Sequence, residues 1–198
     1  MNTKLFTLHN MTKIAILTAI SAIIMLFEFP LPFAPSFYEL DLSEAVILMG
    51  GFAMGPLAAA IMELLKNLLN LLLNGTITAG VGELANFVMG CSLVVPASLI
   101  YKYRKTLKGA IVGLIVGTVS LVVIGCVMNY FVMIPAYVAL AKFPLEAILS
   151  MGAEANGMVE SLATLVLFAV APFNLVKGIA CSVINLLLYK RLSKILHI

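Results

Sequence analysis

Apolar segments follow one another along the whole chain, and each is long enough, or nearly long enough, to cross a lipid bilayer. The segments 14–29, 45–73, 84–101, 109–130 and 162–189 are dominated by apolar side chains. About 20 such residues in a helix span the hydrocarbon core. Only 11% of the 198 residues are charged, roughly half the fraction found in soluble domains. We therefore predict an all-α integral membrane protein with a single membrane domain over residues 1–198.

The first apolar segment has two interpretations. Lys4 and Lys13 precede it, as basic residues precede the apolar part of a secretory signal peptide. The sequence that follows, FEFPLPFAP, lacks the small residues of a cleavage site. This favours an uncleaved membrane anchor.

Basic and acidic residues fall in different segments between the apolar runs. Basic side chains close to the ends of membrane helices mark the cytoplasmic side. Counting crossings from them predicts six transmembrane helices with both termini in the cytoplasm. The basic groups are Lys4 and Lys13; Lys102, Arg104, Lys105 and Lys108; and Lys190, Arg191 and Lys194. The acidic segments, which are then external, hold Glu28, Glu39, Asp41 and Glu44; Glu83; and Glu146, Glu154 and Glu160.

The segment 45–73 has to cross the membrane twice if both of its acidic flanks are external. It has 29 residues with a Gly55-Pro56 break, whereas two complete spans need about 40. One of the two helices is therefore predicted to be short or strongly tilted. A re-entrant hairpin over 45–73 is the alternative.

Cysteine and histidine usage excludes several chemistries. Cys91, Cys126 and Cys181 lie in three different apolar segments with no zinc-like spacing. His9 and His197 stand near the two chain ends. The apolar segments therefore lack the histidine that a buried catalytic triad or a histidine metal site requires. We predict no catalytic residues, no metal and no cofactor.

Three ionisable residues lie well inside apolar segments. Such groups are costly in a membrane and are functional candidates by default. Glu63 and Lys66 are three residues apart and share a helix face, so a structural ion pair is preferred for them over a ligand role. Lys177 has no such partner on its own helix.

Three polar side chains on two helices reach a similar membrane depth. Lys177 is 13 residues before Lys190, roughly 20 Å at the helical rise, and Asn174 is one turn further out on the same face. Asn129 is 20 residues after Gly109, roughly 30 Å. We therefore predict a ligand pocket near the extracellular side. The alternative is that these residues only bond to one another and to backbone freed by Pro172.

The predicted pocket suits a polar heterocycle. A primary amide presents a donor and an acceptor side by side, and a lysine donates to ring carbonyls or nitrogens. Phe173, Phe131, Tyr130 and Phe37 are candidates for flat contacts with the ring.

Small residues form a stripe on the first helix. Ala15, Ala19 and Ala22 recur at spacings of four and three, which permits close helix approach in lipid. The stripe is either a packing surface within the chain or a docking surface for another membrane subunit.

Several motifs, taken in order, resemble one family. The chain is similar to the riboflavin-specific substrate-binding components, or S components, of energy-coupling factor (ECF) vitamin transporters. The similarity runs over nearly the whole chain. The motifs are AILTAISAI, FPLPFAPSFYELDLSE, GFAMGPLAAAIMELLKNLLNLLLNG, ELANFVMG, NYFVMIPAY and PFNLVKG.

The resemblance implies a function and a set of site residues. It implies high-affinity binding of riboflavin, as the transported ligand, from outside a bacterial plasma membrane. The implied ligand-binding residues are Asn129, Asn174 and Lys177, with contacts from Glu39, Leu40 and Asp41 in the first loop and from Ala85.

The resemblance also implies partners. Ala15 and Ala19 would dock on an ECF transmembrane coupling subunit driven by two cytoplasmic ATPases, and no nucleic acid is expected as a partner. The chain has no GxxxxGK[ST] phosphate-binding loop, so the energy has to come from such a partner. The fifth loop, 142–160, is longer and more acidic than the family pattern, and its conformation is not predicted.

Three other functions remain open from the residues. The ligand could be a different vitamin, such as thiamin or a pyridoxine relative. The chain could be a membrane assembly subunit that uses only the alanine stripe. An intramembrane enzyme has poor support. Glu63 is the one acidic residue well inside an apolar segment, and no histidine or cysteine lies near a candidate base.

Overall fold

Helices make up almost all of the regular structure. The computed structural model describes residues 7–76 and 78–196, with side chains described as far as Tyr189. Predictions that depend on Lys4, on His197, or on the side chains of Lys190, Arg191 and Lys194 lie outside the described part. The helices are α1 Leu8–Met25, α2 Glu44–Met54, α3 Pro56–Asn74, α4 Val81–Tyr103, α5 Leu107–Met128, α6 Ile134–Ala139, α7 Leu145–Ala155, α8 Leu162–Leu165 and α9 Ala171–Leu196.

Five helical segments in the described part of the chain are long and apolar enough to cross a membrane. They are Leu8–Met25, Pro56–Asn74, Val81–Tyr103, Leu107–Ala139 and Leu162–Tyr189. The helix Glu44–Met54 is apolar but shorter. The prediction of a mostly helical membrane domain is confirmed, and so is the prediction that one helix of the 45–73 pair is short.

The break between α2 and α3 is made by two residues with special backbones. Gly55 has φ of 100°, in the region that L side chains rarely adopt. Pro56 takes the first position of α3, where its missing N–H costs no hydrogen bond. The chain therefore reverses in a single residue, which lets two helices fit into a segment too short for two full spans.

α3 is polar on the inside and apolar on the outside. Its buried side chains include Glu63, Lys66, Asn67 and Asn70. Its exposed side chains, apart from Asn74 at its end, are leucines: Leu57, Leu64, Leu65, Leu68, Leu69, Leu72 and Leu73. In a membrane the exposed face is solvated by lipid, and polar groups turn toward the protein interior.

Two long helices are interrupted by widened, π-helical turns. One covers Asn129–Met133 and joins α5 to α6, and the other covers Val166–Val170 and joins α8 to α9. Single π turns free backbone groups and are frequent at functional sites. Pro172, which lacks an N–H, follows the second turn, and the side-chain amide of Asn156 donates to the nearby carbonyl of Phe168 at 3.2 Å.

A two-stranded ribbon closes the end of the bundle where α1 finishes. β1, Phe29–Pro30, pairs antiparallel with β2, Glu39–Leu40, with Phe29 opposite Leu40. Leu40 and Ala34 pack with Phe173 of α9 in a small apolar cluster. This ribbon departs from the all-α prediction, and it holds the first loop against the helix that carries Lys177.

Candidate functional site

A cavity of about 650 Å³ lies at the end of the bundle where α1 and α3 finish and α4 begins. Small-molecule sites usually have volumes of roughly 300–1,000 Å³. The basic segment 102–108 lies at the far end of α4 from this cavity. Polar and charged residues line much of the wall: Glu28, Ser36, Glu39, Asn70, Asn74, Thr76, Thr78, Glu83, Asn86, Asn129 and Lys177.

Lys177 lies at this cavity and is held by two carboxylates from elsewhere in the chain. Its Nζ is 2.9 Å from Asp41 Oδ2 and 3.1 Å from Glu44 Oε1. Asp41 follows β2, and Glu44 begins α2. Burial alone raises the pKa of Asp41, but the ammonium groups of Lys177 and Lys66 and a hydrogen bond from Ser43 outweigh it and keep the pKa well below its usual range. The lysine that had no partner on its own helix therefore finds two across the bundle.

Lys66 is fully buried behind Lys177. Its Nζ lies 2.6 Å from Glu63 Oε1 and 3.0 Å from Glu44 Oε1. It also donates to the hydroxyl of Ser43 at 3.0 Å. The predicted Glu63–Lys66 ion pair is present, and Glu44 connects it to Lys177.

Asn129 stands at the start of the first π turn with its amide already oriented. Its Nδ2 donates to the carbonyl of Gly125 at 2.9 Å, and its Oδ1 accepts from the hydroxyl of Tyr38 at 2.7 Å. One N–H and one lone pair of the amide stay available. The orientation of this amide is therefore set from both sides.

Asn174 packs against Gly125, one helical turn before Asn129. It is 5% exposed, and an ideal Cβ on Gly125 would approach its Nδ2 to 2.5 Å. Only a glycine lets the two helices come this close. Asn174 itself is not part of the cavity wall.

Aromatic rings form one side of the cavity. Phe37, Tyr38, Tyr137 and Phe173 line it, with the Phe37 and Tyr38 centroids 4.5 Å apart and the Tyr38 and Phe173 centroids 5.5 Å apart. Phe173 and Phe37 line the cavity, and their contact with a ligand ring stays a prediction. Tyr130 and Phe131, which are 38% and 69% exposed, do not line it.

The rim is acidic. Thr76 and Thr78 donate to Glu83 Oε2 at 3.1 and 3.4 Å, and Glu39 lines the opposite side. Burial raises the pKa of Glu28 to about 7, assisted by the carboxylates of Glu39 and Asp41. The entrance is therefore richer in carboxylates than in ammonium groups.

The predicted ligand-binding residues divide into two sets. Glu39, Ala85, Asn129 and Lys177 line the cavity. Leu40, Asp41 and Asn174 are buried next to it and contribute no wall.

The alanine stripe is divided in the same way. Ala15 and Ala19 are exposed on α1, whereas Ala22 is 3% exposed in the core. Ala22 therefore serves packing within the chain, and a docking role for Ala15 and Ala19 stays a prediction.

Sequence reasoning missed Glu44 and Tyr38. Glu44 was assigned to an external loop, yet it is fully buried and contacts both lysines. A signal was available, because Glu44 directly precedes an apolar run that must turn into the membrane. Tyr38 gave no signal, because its bond to Asn129 joins residues 91 positions apart.

No group of three histidine, cysteine or acidic residues within the described ranges is arranged to hold a metal ion. The fold and the cavity define a multi-pass membrane protein that encloses a small-molecule site at one end of its helix bundle. Residues 9–189 match the model of the family described as "ECF transporter, substrate-specific component". The chain belongs to this family.

Individual relatives are similar over most of the chain. It is 36% identical to the riboflavin transporter RibU of Staphylococcus aureus, covering 94% of this chain and 92% of that protein. It is 30% identical to the riboflavin transporter FmnP of Bacillus subtilis, covering 93% and 92%. A solved structure described as the S component of a bacterial ECF transporter superposes with a TM-score of 0.73 at 33% identity, covering 94% of this chain and 96% of that one.

Proposed function

We propose that this chain captures riboflavin at the outer face of the membrane and serves as the substrate-specific subunit of an ATP-driven ECF transporter. One observation carries the proposal. Asn129 and Lys177, from different helices, meet on one cavity in a chain that is similar along at least 93% of its length to proteins named riboflavin transporters.

The free hydrogen-bonding capacity of the site matches an isoalloxazine ring system. Asn129 retains an N–H and a lone pair, so its amide complements an imide edge. Lys177 uses two of its three N–H groups on Asp41 and Glu44, and the third is free for a ring carbonyl or nitrogen. The aromatic wall supplies flat contacts for the ring faces.

The remaining predicted residues act around this centre. We assign to β2 backbone contacts from Glu39 and Leu40, and to Ala85 a contact from the start of α4. Asp41 acts through Lys177, whose position it fixes. Asn174 extends the polar floor behind Asn129.

The orientation of the chain follows from the position of the cavity. Its opening lies at the opposite end of α4 from the basic segment 102–108, and basic segments mark the cytoplasmic side. This supports an external opening, six crossings with α2 as the short one, and cytoplasmic termini.

Energy for uptake comes from partner subunits in this proposal. Ala15 and Ala19 lie on the exposed face of α1 together with Ile16 and Ile20. Small residues on a lipid-facing helix allow close approach of another helix. We assign this face to the transmembrane coupling subunit, which carries two cytoplasmic ATPases.

Competition binding tests the ligand assignment. Riboflavin is bound to the purified chain in detergent, and thiamin or pyridoxine is added in roughly 1,000-fold excess. We expect neither to displace riboflavin, because the site is complementary to an imide edge and a large flat ring. Displacement by either vitamin at equal concentration would reassign the ligand.

The hypothesis of an assembly subunit without a ligand has its own test. It requires that the double variant Asn174→Leu, Lys177→Leu transports as well as the unmodified chain. We expect uptake to be lost.

A further inference from the structure

Five buried charges form one connected network in the interior. In space they follow the order Asp41, Lys177, Glu44, Lys66, Glu63, so that acids and bases alternate. The four contacts between neighbours measure 2.9, 3.1, 3.0 and 2.6 Å. The side chains at these contacts are 0 to 7% exposed. Water therefore does little to compensate any imbalance among them.

The network contains three carboxyl groups and two ammonium groups. Within the described chain, the ion pairs of these carboxyl groups are made by Lys66 and Lys177. α1 packs against α3 and contributes Ser21, which bonds to the backbone of Ser43. Lys13 stands eight residues before Ser21 on that helix, roughly 12 Å further along its axis. With all five groups ionised, the network itself would carry a net charge of −1.

The excess charge can be located by following the carboxyl oxygens. Both oxygens of Asp41 have partners, from Ser43 and from Lys177. Glu44 Oε1 contacts both ammonium groups. Glu63 contacts only Lys66 and the amide of Asn67, and both bind through Oε1. Asp41 and Glu63 each contact one ammonium group, whereas Glu44 contacts two. Asp41 also accepts two hydrogen bonds from Ser43, against one that Glu63 accepts from Asn67, so Glu63 is the carboxylate with the fewest stabilising partners.

The second oxygens of Glu44 and Glu63 are both buried without a hydrogen-bond partner. Glu44 is stabilised in its ionised form by two ammonium groups on its other oxygen, whereas Glu63 has one. Glu63 Oε2 lies against the backbone of Gly90 on α4, where an ideal Cβ would approach it to 2.9 Å. Asn67, one turn further along α3, has an Oδ1 that is also buried and without a donor. A proton on Glu63 removes the excess charge, and the unpartnered oxygen can carry it as an O–H.

We propose that Glu63 is a proton-binding site that keeps the buried network electrically neutral. The titratable groups that face it are Glu44 on α2, Lys66 on α3, Cys91 on α4 and Lys177 on α9. Glu63 does not line the cavity, so this inference does not rest on the proposed ligand.

The proton has a consequence for Lys177. When Glu63 is neutral, the ammonium of Lys66 is shared less with Glu63 and stabilises Glu44 more strongly. Glu44 then remains ionised and in place beside Lys177. The proton at the far end of the network thus helps to position the lysine that lines the cavity.

Infrared spectroscopy of the chain in lipid, without ligand, tests the site directly. A protonated carboxyl group has a carbonyl band at higher frequency than the amide bands, and this band shifts in D₂O. Glu28, whose pKa is raised to about 7, would add its own band at neutral pH, so the variants are compared in a Glu28→Gln background. We expect a band at neutral pH in that background, its loss when Glu63→Gln is added and its retention when Glu154→Gln, an exposed control, is added. Absence of the band in the Glu28→Gln chain, or its persistence after Glu63→Gln, would overturn the proposal.

Isosteric variants give a second, independent measurement. Glutamine has the shape of a neutral glutamic acid, so Glu63→Gln should unfold within about 2 °C of the wild type. Glu44→Gln removes an ionised partner of two lysines and should lower the melting temperature by more than about 5 °C. A Glu63→Gln chain that fails to fold, or that is as unstable as Glu44→Gln, contradicts the proposal.

A monovalent metal ion would balance the same charge. Replacing sodium by choline distinguishes the two, and we expect the melting temperature and the infrared band to be unchanged. Stabilisation that depends on sodium would show that a metal ion, and not a proton, fills the site.

Discussion

Lys177 is a buried cation whose two carboxylate partners lie more than 130 residues earlier in the chain. Breaking a buried ion pair costs more than the pair contributes, because the remaining charge is left without compensation. A loss of ligand binding on substitution of Lys177 would therefore not by itself identify a ligand contact. The structural and ligand roles of this residue have to be separated.

A pair of variants separates them. Lys177→Met leaves Asp41 uncompensated and should destabilise the chain by about 3–5 kcal/mol. Adding Asp41→Asn restores the charge balance, so stability should largely recover, while riboflavin affinity stays low because the donor to the ring is missing. Thermal unfolding and flavin titration of the same samples check this. Recovery of affinity together with stability would show that Lys177 is structural only.

Gly125 controls the distance between Asn129 and Asn174. A Cβ at this position would lie 2.5 Å from Asn174 Nδ2, and overpacking of this size costs roughly 1–3 kcal/mol. We expect Gly125→Ala to weaken riboflavin binding by about 5- to 150-fold while the helix content is unchanged. Gly157→Ala is the control, because an added Cβ there meets nothing within 4 Å. Equal affinities for both variants would exclude Asn174 and Asn129 from the ligand site.

Glu28, at the cavity, makes the stability of the folded chain depend on pH. Burial raises the pKa of Glu28 from 4.5 to about 7, so the folded chain holds this proton more tightly than the unfolded chain. Its contribution to stability is complete below about pH 4.5 and is lost as the pH rises through about 7. Glu28→Gln should therefore stabilise the chain at pH 8.5, by about 1 kcal/mol because the group is half exposed, and have little effect at pH 4. Thermal unfolding at both pH values checks this, and an equal effect at both would contradict the assignment.

α3 illustrates how far a local pattern predicts an element. The spacing of Glu63 and Lys66 predicts their contact, because both lie on one helix and the rise of the helix fixes their distance. The participation of Glu44 was not predictable in this way, since it depends on how α2 packs against α3. The Gly55-Pro56 break did predict the short helix. Glycine and proline have characteristic backbone angles of their own, so they indicate where a helix ends whatever packs around them.

The segment between α6 and α8 was the least predictable element. Its conformation depends on α7 packing Ile148 against Val159 and Leu165, and on Asn156 reaching the carbonyl of Phe168. Neither contact has a periodic signature in the sequence. Pro172 was recognised as freeing a backbone carbonyl, but its partner lies outside the helix.

Removing the Asn156 side chain should loosen this segment. Asn156→Ala deletes the hydrogen bond to Phe168, at a cost of about 0.5–1.5 kcal/mol, and should accelerate tryptic cleavage after Lys142. Lys142 is exposed and is the only lysine or arginine between residues 109 and 176, so a single cut is diagnostic. Ser150→Ala, which loses only a bond within α7, is the control. Identical cleavage rates for the two variants would show that Asn156 does not anchor the segment.

At the scale of the whole molecule, the sequence predicts the class of protein well. Apolar segments and their flanking charges are dictated by the bilayer, and they predict a helical membrane domain with one short helix. Depth counting predicted that Asn129, Asn174 and Lys177 reach one pocket; Asn129 and Lys177 line the cavity, whereas Asn174 is buried beside it. Depth along a helix does not determine which way a ring faces, and Tyr130 and Phe131, in the π turn Asn129–Met133, are exposed and do not line the cavity.

Docking on a coupling subunit predicts a separation between binding and uptake. Ala15→Trp with Ala19→Trp adds bulk to the exposed face of α1 and leaves the cavity untouched. We expect cells carrying this variant to lose riboflavin uptake, while the purified chain binds riboflavin as the wild type does. Val119→Trp, on the exposed face of α5, is the matched control and should retain both. Unchanged uptake in the double variant would move the docking surface elsewhere.

Fluorescence titration of the purified chain measures whether the cavity at Asn129 and Lys177 binds riboflavin. Stacking of the flavin ring on the aromatic wall should quench riboflavin fluorescence. We expect saturation at one riboflavin per chain with a nanomolar dissociation constant, about −12 kcal/mol. No quenching at riboflavin concentrations up to about 100 μM would contradict it.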